Sequence, residues 1–217
     1  MSGGRLIVFD FDGTLIDSRR DLADAANALI EEHGGVSLPV DDIAGMVGEG
    51  AAVLVRRALD AAGVPLDIAR DLPRFLELYD QRLLAHTRLY DGTREMVETL
   101  AQRAALAILT NKPQHHTDAI LVGLGIADAF RWVIGGDSAH GRKPDPAGLR
   151  YLMTSAAATP SETLMVGDSA IDLRTARAAG VRICLVRYGF GFRTAERLLE
   201  GGELIADSPS AVVRFAA

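Results

Sequence analysis

One stretch, Leu6-Ile7-Val8-Phe9-Asp10-Phe11-Asp12-Gly13-Thr14-Leu15, constrains the fold more than any other part of the chain. Four apolar residues run without interruption into an aspartate, the pattern of a short buried strand that ends at a polar site. Side chains two apart on a strand share a face, so Asp10 and Asp12 can enter one cavity. Gly13 then permits a sharp turn and a close backbone approach to a ligand. Two carboxylates held that close repel each other, and a cation between them lets both stay ionised. Calcium loops also contain Asp-x-Asp-Gly, but they set the glycine at the sixth position between helices. Here it is the fourth residue of the motif and a strand precedes it. A plain Asp-Gly turn is the other reading of these residues taken alone.

Beyond this strand the apolar spacing changes to a helical period. Leu22, Ala25, Ala26, Leu29 and Ile30 repeat along one face up to Gly34-Gly35. A second helix is expected over roughly 40–47 and a third over 51–62, both closed by glycine or proline, and one or two more over 68–86. Residues 17–87 therefore read as helical throughout. From Leu89 onward strands and helices alternate. Apolar runs at 106–109, 132–134, 164–166 and 183–186 end in Thr110-Asn111, Gly135-Gly136-Asp137, Gly167-Asp168 and Tyr188-Gly189, with helices between them. Such alternation implies crossover units and a parallel sheet covered on both faces. The expected architecture is an α/β core of residues 1–16 and 88–217, with a helical unit of residues 17–87 inserted after the first strand. The C-terminal stretch around Ser208-Pro209 reads as a turn and a short helix.

At 217 residues the chain can bury a substantial core, and its net charge of −6 with no basic stripe argues against nucleic-acid binding. A single cysteine, Cys184, rules out internal disulfides and cysteine-rich metal sites. No signal-peptide pattern and no membrane-length apolar run is present, so a cytoplasmic protein is expected, either monomer or homodimer. Only two lysines occur, Lys112 and Lys143, the other cations being arginine. That scarcity makes each lysine informative.

In a parallel sheet the strand ends named above share one edge and can converge. Asp10, Asp12, Thr110, Lys143 and Asp168 supply a nucleophile, a hydroxyl donor, a compact cation and metal-ligating oxygens, the set that phosphoryl transfer needs. Asp172 lies one helical turn beyond Asp168 and on the same side. Thr110-Asn111 alone is an ordinary turn, Lys143 alone a surface charge, and acidic residues opening a helix are favoured by its dipole. The four motifs in this order make coincidence an unattractive account.

These motifs resemble those of haloacid dehalogenase superfamily phosphatases carrying a helical cap after the first motif. The resemblance rests on Asp10-Phe11-Asp12-Gly13-Thr14, Thr110-Asn111, Lys143 and Gly167-Asp168-Ser169-Ala170-Ile171-Asp172, and it spans essentially the whole chain. Thr110-Asn111-Lys112-Pro113, Gly135-Gly136-Asp137-Ser138, Lys143-Pro144-Asp145-Pro146 and Tyr188-Gly189-Phe190 are similar to the phosphoglycolate phosphatase branch. The resemblance implies a Rossmann-like parallel-sheet core with an inserted all-helical cap. It implies Asp10 as the nucleophile that becomes an aspartyl-phosphate, and Asp12 as acid then base. Thr110, with amides near Phe11 and Asn111, holds the phosphoryl oxygens, and Lys143 offsets negative charge. Mg²⁺ is expected on Asp10, the main-chain oxygen of Asp12 and Asp168, with Asp172 acting from behind on a bound water or Lys143. The implied substrate is a small phosphorylated metabolite such as 2-phosphoglycolate, with a sugar phosphate or pyrophosphate as the alternative. Hinges are expected near residues 16–20 and 86–91.

In the cap, Met46-Val47-Gly48-Glu49-Gly50-Ala51 is similar to the substrate-specificity loop of that branch, so Gly48, Glu49, Gly50 and Arg56 are candidates for substrate contact. Many members have Asn where this chain has Glu49, and a carboxylate facing an anionic substrate needs Arg56 or a similar group to offset it. The two glycines also suit a simple break between helices. Residues 17–87 contain no lysine, which excludes the Schiff-base chemistry of the phosphonoacetaldehyde hydrolases. Two readings from another class are a phospho-accepting receiver domain and a non-catalytic phosphate-binding module. A receiver carries its accepting aspartate on a later strand and has no room for a helical insertion.

Overall fold

In the computed structural model, which describes residues 4–216, the first strand β1 (Leu6–Phe9) lies near the middle of a six-stranded sheet. Its neighbours are β4 (Ala105–Leu109) and β6 (Thr163–Gly167), flanked by β5 (Trp132–Ile134) on one side and by β7 (Arg182–Val186) and β8 (Leu204–Ala206) on the other. The order is β5-β4-β1-β6-β7-β8, and every pairing is parallel. A ribbon of β2 (Ile16–Asp17) and β3 (Arg88–Leu89) pairs antiparallel apart from the sheet.

Alternation along each strand feeds two cores. Ile7, Phe9, Leu106, Ile108, Leu164, Val166, Cys184 and Val186 project to one face. There they meet Met96, Val97 and Leu100 of α5 (Thr93–Ala101), Ile120 and Leu121 of α6 (Gln114–Gly123), and Val212 of α10 (Pro209–Phe215). Leu6, Val8, Ala107, Leu109, Met165, Ile183 and Leu185 project to the other face. That side is covered by Leu149 and Leu152 of α7 (Ala147–Ala156), Leu173 of α8 (Ala170–Ala179) and Phe192 of α9 (Phe192–Glu196). A strand wedged between two cores must be apolar at every position, which is why β1 reads Leu-Ile-Val-Phe. All its exits at the carboxyl end then become the natural place for polar groups.

Between β2 and β3 the chain forms α1 (Arg19–Glu32), α2 (Val40–Ala44), α3 (Ala51–Ala61) and α4 (Ile68–Asp80). Leu22, Ala26, Leu29 and Ile30 of α1 close against Leu54, Ala58, Leu59, Phe75 and Tyr79 to form a third core of their own. Inside it, the buried Asp71 accepts from the Asp67 amide at 2.8 Å and meets His33 at 3.0 Å.

Two expectations need correction. The last of the expected cap helices stops at Asp80 rather than running to residue 86, and turns follow. The segments expected to hold the hinges contain a short paired ribbon, with Ile16 opposite Leu89 and Asp17 opposite Arg88. The sheet also gains β8, a half-buried edge strand of three residues ahead of the C-terminal helix that was expected alone. Runs of two or three residues are too short to show a period. Among the described residues no helix is long and apolar enough to cross a membrane.

Candidate active site

β1 delivers Asp10 to the carboxyl edge of the sheet, where it is 7 % exposed. Its Oδ1 accepts from the Phe11 amide at 2.6 Å and lies 2.8 Å from the ammonium of Lys143. Lys143 comes from the loop before α7 and donates to Asp172 Oδ1 at 2.6 Å. The other oxygen of Asp172 accepts from the amide and hydroxyl of Ser169, at 3.0 and 2.6 Å. Ser169 caps α8 and Asp172 is its third residue, so a capping box turns Asp172 back toward the site.

Burial, together with the like charge of Asp172, pushes the Asp10 carboxyl up to about 7 even though Lys143 opposes the rise. Asp168 is raised well above the usual carboxylate range, first by burial and then by Asp172 and Asp10. Lys143 is held as an ammonium: burial works against its charge, and Asp10 and Asp172 more than offset it.

Oxygens of Asp10, Asp168 and Asp172 all lie within 4.8 Å of one another, and all three residues are buried. The donor set is entirely oxygen, as a hard divalent cation requires. Gly13 completes the cradle. Its φ is +83°, and a Cβ there would stand 2.1 Å from Asp168 Oδ2. Asp168 itself accepts from the Gly191 amide at 2.7 Å. Buried, mutually repelling carboxylates whose pKa values are raised are what a bound cation would relieve, so these residues fit one.

Asp12 shares a cavity with Asp10, Thr110, Asn111 and Asp168, as the strand spacing predicts. Thr110 is buried, and its oxygen accepts from the Lys112 amide at 3.2 Å, which leaves its hydroxyl hydrogen for another partner. The Asn111 side-chain amide donates to the Gly48 carbonyl and the Lys143 carbonyl, both at 2.9 Å, so it ties cap to core with its side chain. The Phe11 amide is likewise spent on Asp10 rather than left for a phosphoryl oxygen.

The cap candidates divide. Gly48 and Gly50 line the cavity; Glu49 and Arg56 do not. Glu49 is half exposed and pairs with Arg57, the neighbour of the residue expected to offset it, while Arg56 points to solvent. What the cap does bring to the cavity is apolar, chiefly Leu22, Val47, Leu54, Phe75 and Leu76, together with the phenol of Tyr79.

Lys112 is the buried residue at the site that the sequence left without a role. It is 6 % exposed, and its ammonium donates to both oxygens of Asp12, at 3.0 and 3.2 Å, and to the Tyr79 hydroxyl at 2.7 Å. Its rarity in the chain and its place directly after Thr110-Asn111 were the available signals. Next to it, the His116 ring of α6 packs against Tyr79 at a tilt of 44° and lies 2.9 Å from Asp80, without the alignment of a hydrogen bond.

The fold and this site define a recognisable class. The model of the haloacid dehalogenase-like hydrolases matches residues 7–186, so the chain belongs to that family. A phosphoglycolate phosphatase of Pseudomonas putida is 39 % identical over 217 residues, covering 96 % of this chain and 76 % of the relative. One of Rhodospirillum rubrum is 42 % identical over 194 residues, covering 86 % and 80 %. The crystal structure of a predicted phosphoglycolate phosphatase from Haemophilus somnus superposes with a TM-score of 0.91 at 31 % identity, over the whole of both chains. The activity these relatives support for the chain is that of a phosphatase.

Proposed function

We propose that the protein hydrolyses a small phosphate monoester through an aspartyl-phosphate on Asp10, with Mg²⁺ as cofactor and 2-phosphoglycolate as the leading substrate. The observation that carries this reading is the placement of Asp10 between Lys143 and the Asp168 carboxylate at the mouth of a cavity that also admits Asp12. Oδ1 of Asp10 is committed to Phe11 and Lys143, and Oδ2 is the oxygen that attacks phosphorus. Lys143 offsets the charge of the nucleophile and of the phosphoryl group in a buried setting, where such an interaction is strong. Thr110 donates its hydroxyl hydrogen to a phosphoryl oxygen. Asp12 gives a proton to the departing alkoxide and then takes one from the water that opens the phosphoenzyme. Asp10, the Asp12 carbonyl and Asp168 would hold the metal, which would supply positive charge against the phosphoryl group.

Residues 17–87 act as the cap and residues 1–16 and 88–217 as the catalytic core. The cap's own apolar core and its contribution of Leu54, Phe75 and Tyr79 to the cavity support that division. Closing such a lid keeps bulk water from the leaving group.

One observation favours a second reading of the substrate. The cap sets no cationic side chain on the cavity wall, so a substrate carboxylate has only Lys112 and main-chain amides to meet it. That suits a neutral leaving group, and a small sugar or alkyl phosphate is the alternative. Phosphate release with Mg²⁺ from 2-phosphoglycolate, p-nitrophenyl phosphate, several sugar phosphates and pyrophosphate separates them, with Asp10→Asn as control. Preference for phosphoglycolate supports the first reading. Preference for another ester moves the substrate and keeps the chemistry. No release from any of them overturns both and revives a phosphate-binding module.

A further inference from the structure

Each of the chain's two lysines is buried against one of the two aspartates of the first motif: Lys143 against Asp10, and Lys112 against Asp12. We infer that Lys112, anchored by the Tyr79 hydroxyl, is the positioning residue that fixes the Asp12 carboxyl for proton transfer. This rests on the reading of Asp12 as the acid and base.

The geometry is specific. The Lys112 side chain is 3 % exposed, and a buried ammonium is tolerated only where oxygens replace its water. Asp12 and Tyr79 are those oxygens. The Asp12 carboxylate straddles the ammonium through both its oxygens, which sets the rotation of the group as well as its direction. Ser18 adds one more restraint, donating to Asp12 Oδ1 at 2.5 Å.

Tyr79 supplies the opposite anchor. Its ring is fixed by stacking on Phe75 with 7° between the planes and by His116, and the Lys112 ammonium lies 4.6 Å from its centroid. Burial pushes the Tyr79 phenol up to about 12, so it stays neutral and can accept from a cation without competing for it as an anion. A flexible four-carbon side chain is thereby held at its tip by a group from α4, a 13-residue helix of the cap. Without Tyr79 the ammonium keeps its charge attraction to Asp12 but loses the restraint on its own position. A carboxyl displaced by an ångström is a poor proton donor to an alkoxide.

The test uses leaving groups of different need. An alkyl phosphate requires proton donation as the alkoxide departs, whereas p-nitrophenolate departs unaided. Because kcat/KM reports only steps up to departure, it isolates the acid role from the later hydrolysis. Asp12→Asn establishes the baseline by losing far more kcat/KM on the alkyl phosphate than on p-nitrophenyl phosphate. Lys112→Met is then expected to lose at least tenfold more on the alkyl phosphate than on the aryl one. Tyr79→Phe, which removes one oxygen and keeps the ring, is expected to show the same bias at about threefold to tenfold, and it carries the test where Lys112→Met does not fold. Equal losses on both substrates overturn the inference and leave Lys112 a structural cation. A crystal structure of Tyr79→Phe with Lys112 and Asp12 undisturbed also overturns it. If Asp12→Asn itself shows no bias, the acid–base reading falls and the inference falls with it.

Discussion

The ammonium of Lys143 and the carboxylate of Asp10 lie 2.8 Å apart, both buried at the end of the central strand. Removing that cation leaves Asp10 facing Asp172 and Asp168 with nothing between them. Lys143→Met is expected to lower kcat/KM by about 10²–10³, the scale of losing one buried charge-stabilising donor. Lys143→Arg is not expected to rescue it, since a planar guanidinium is wider than the space between the two carboxylates. Steady-state phosphate release on the preferred ester measures both.

The same carboxylates make a prediction about metal. Asp10 is raised to about 7 and Asp168 is also raised well above its usual range, so protons compete with a cation for these oxygens. Mg²⁺ affinity is therefore expected to weaken as pH falls below about 7. At a hundredfold excess over its dissociation constant, Mg²⁺ should stabilise the protein by about 2.7 kcal/mol. Thermal melts with Mg²⁺ and with EDTA at pH 6 and pH 8 read this directly, and Asp168→Asn is expected to abolish the shift.

Gly13 can be replaced by nothing larger. At φ +83° an alanine is strained, and its Cβ would collide with the Asp168 carboxylate. Gly13→Ala is expected to cost about 1–3 kcal/mol of stability by denaturant melts. The protein that remains folded should lose both its Mg²⁺-dependent stabilisation and at least a hundredfold in activity. A variant with wild-type activity would show that the cradle is looser than drawn.

His116 gives a pH dependence of opposite origin. Burial, and then the nearby Lys112 charge, lower its pKa below the ordinary 6.5, while Asp80 opposes the fall and His115 adds slightly to it. The unfolded chain thus binds a proton that the folded one resists. Stability contributed by neutral His116 is present above pH 6.5 and is lost as pH falls below it. Denaturant midpoints at pH 7.5, 6.5 and 5.5 should decline more steeply for the wild type than for His116→Gln.

Glu49 is already partnered by Arg57 outside the cavity, so its charge reaches a substrate only weakly. Glu49→Asn is expected to raise kcat/KM toward phosphoglycolate by at most about threefold, the scale of an exposed ion pair. A drop, or no change, would remove Glu49 from selectivity.

Much of this was legible in the sequence, for physical reasons. Strands β1, β4, β6 and β7 sit between two cores and so spell apolar runs, and β1, β4 and β6 are each followed by a polar residue that reaches the site. The strand ends and motif order therefore point to one edge for Asp10, Asp12, Thr110, Lys143 and Asp168. What failed was tertiary. Nothing local to Lys112 announces that its oxygen partner is Tyr79, in a helix more than thirty residues earlier. Nothing in Arg56-Arg57 tells which arginine turns back to Glu49. The strands β2, β3 and β8 are held by pairing with distant segments rather than by their own composition.

The ribbon of β2 and β3 has a consequence of its own. Entry to and exit from the four-helix unit stand side by side, with the Tyr90 amide bonded to the Leu15 carbonyl at 3.2 Å just beyond. The core is thus stitched shut beneath the insertion, and the helices hang from it as a closed loop whose ends already meet. The chain entropy lost in closing such a loop grows only slowly with its length. A catalytic scaffold built this way can exchange one lid for another of different length without rethreading its sheet, which separates the evolution of substrate choice from that of the chemistry.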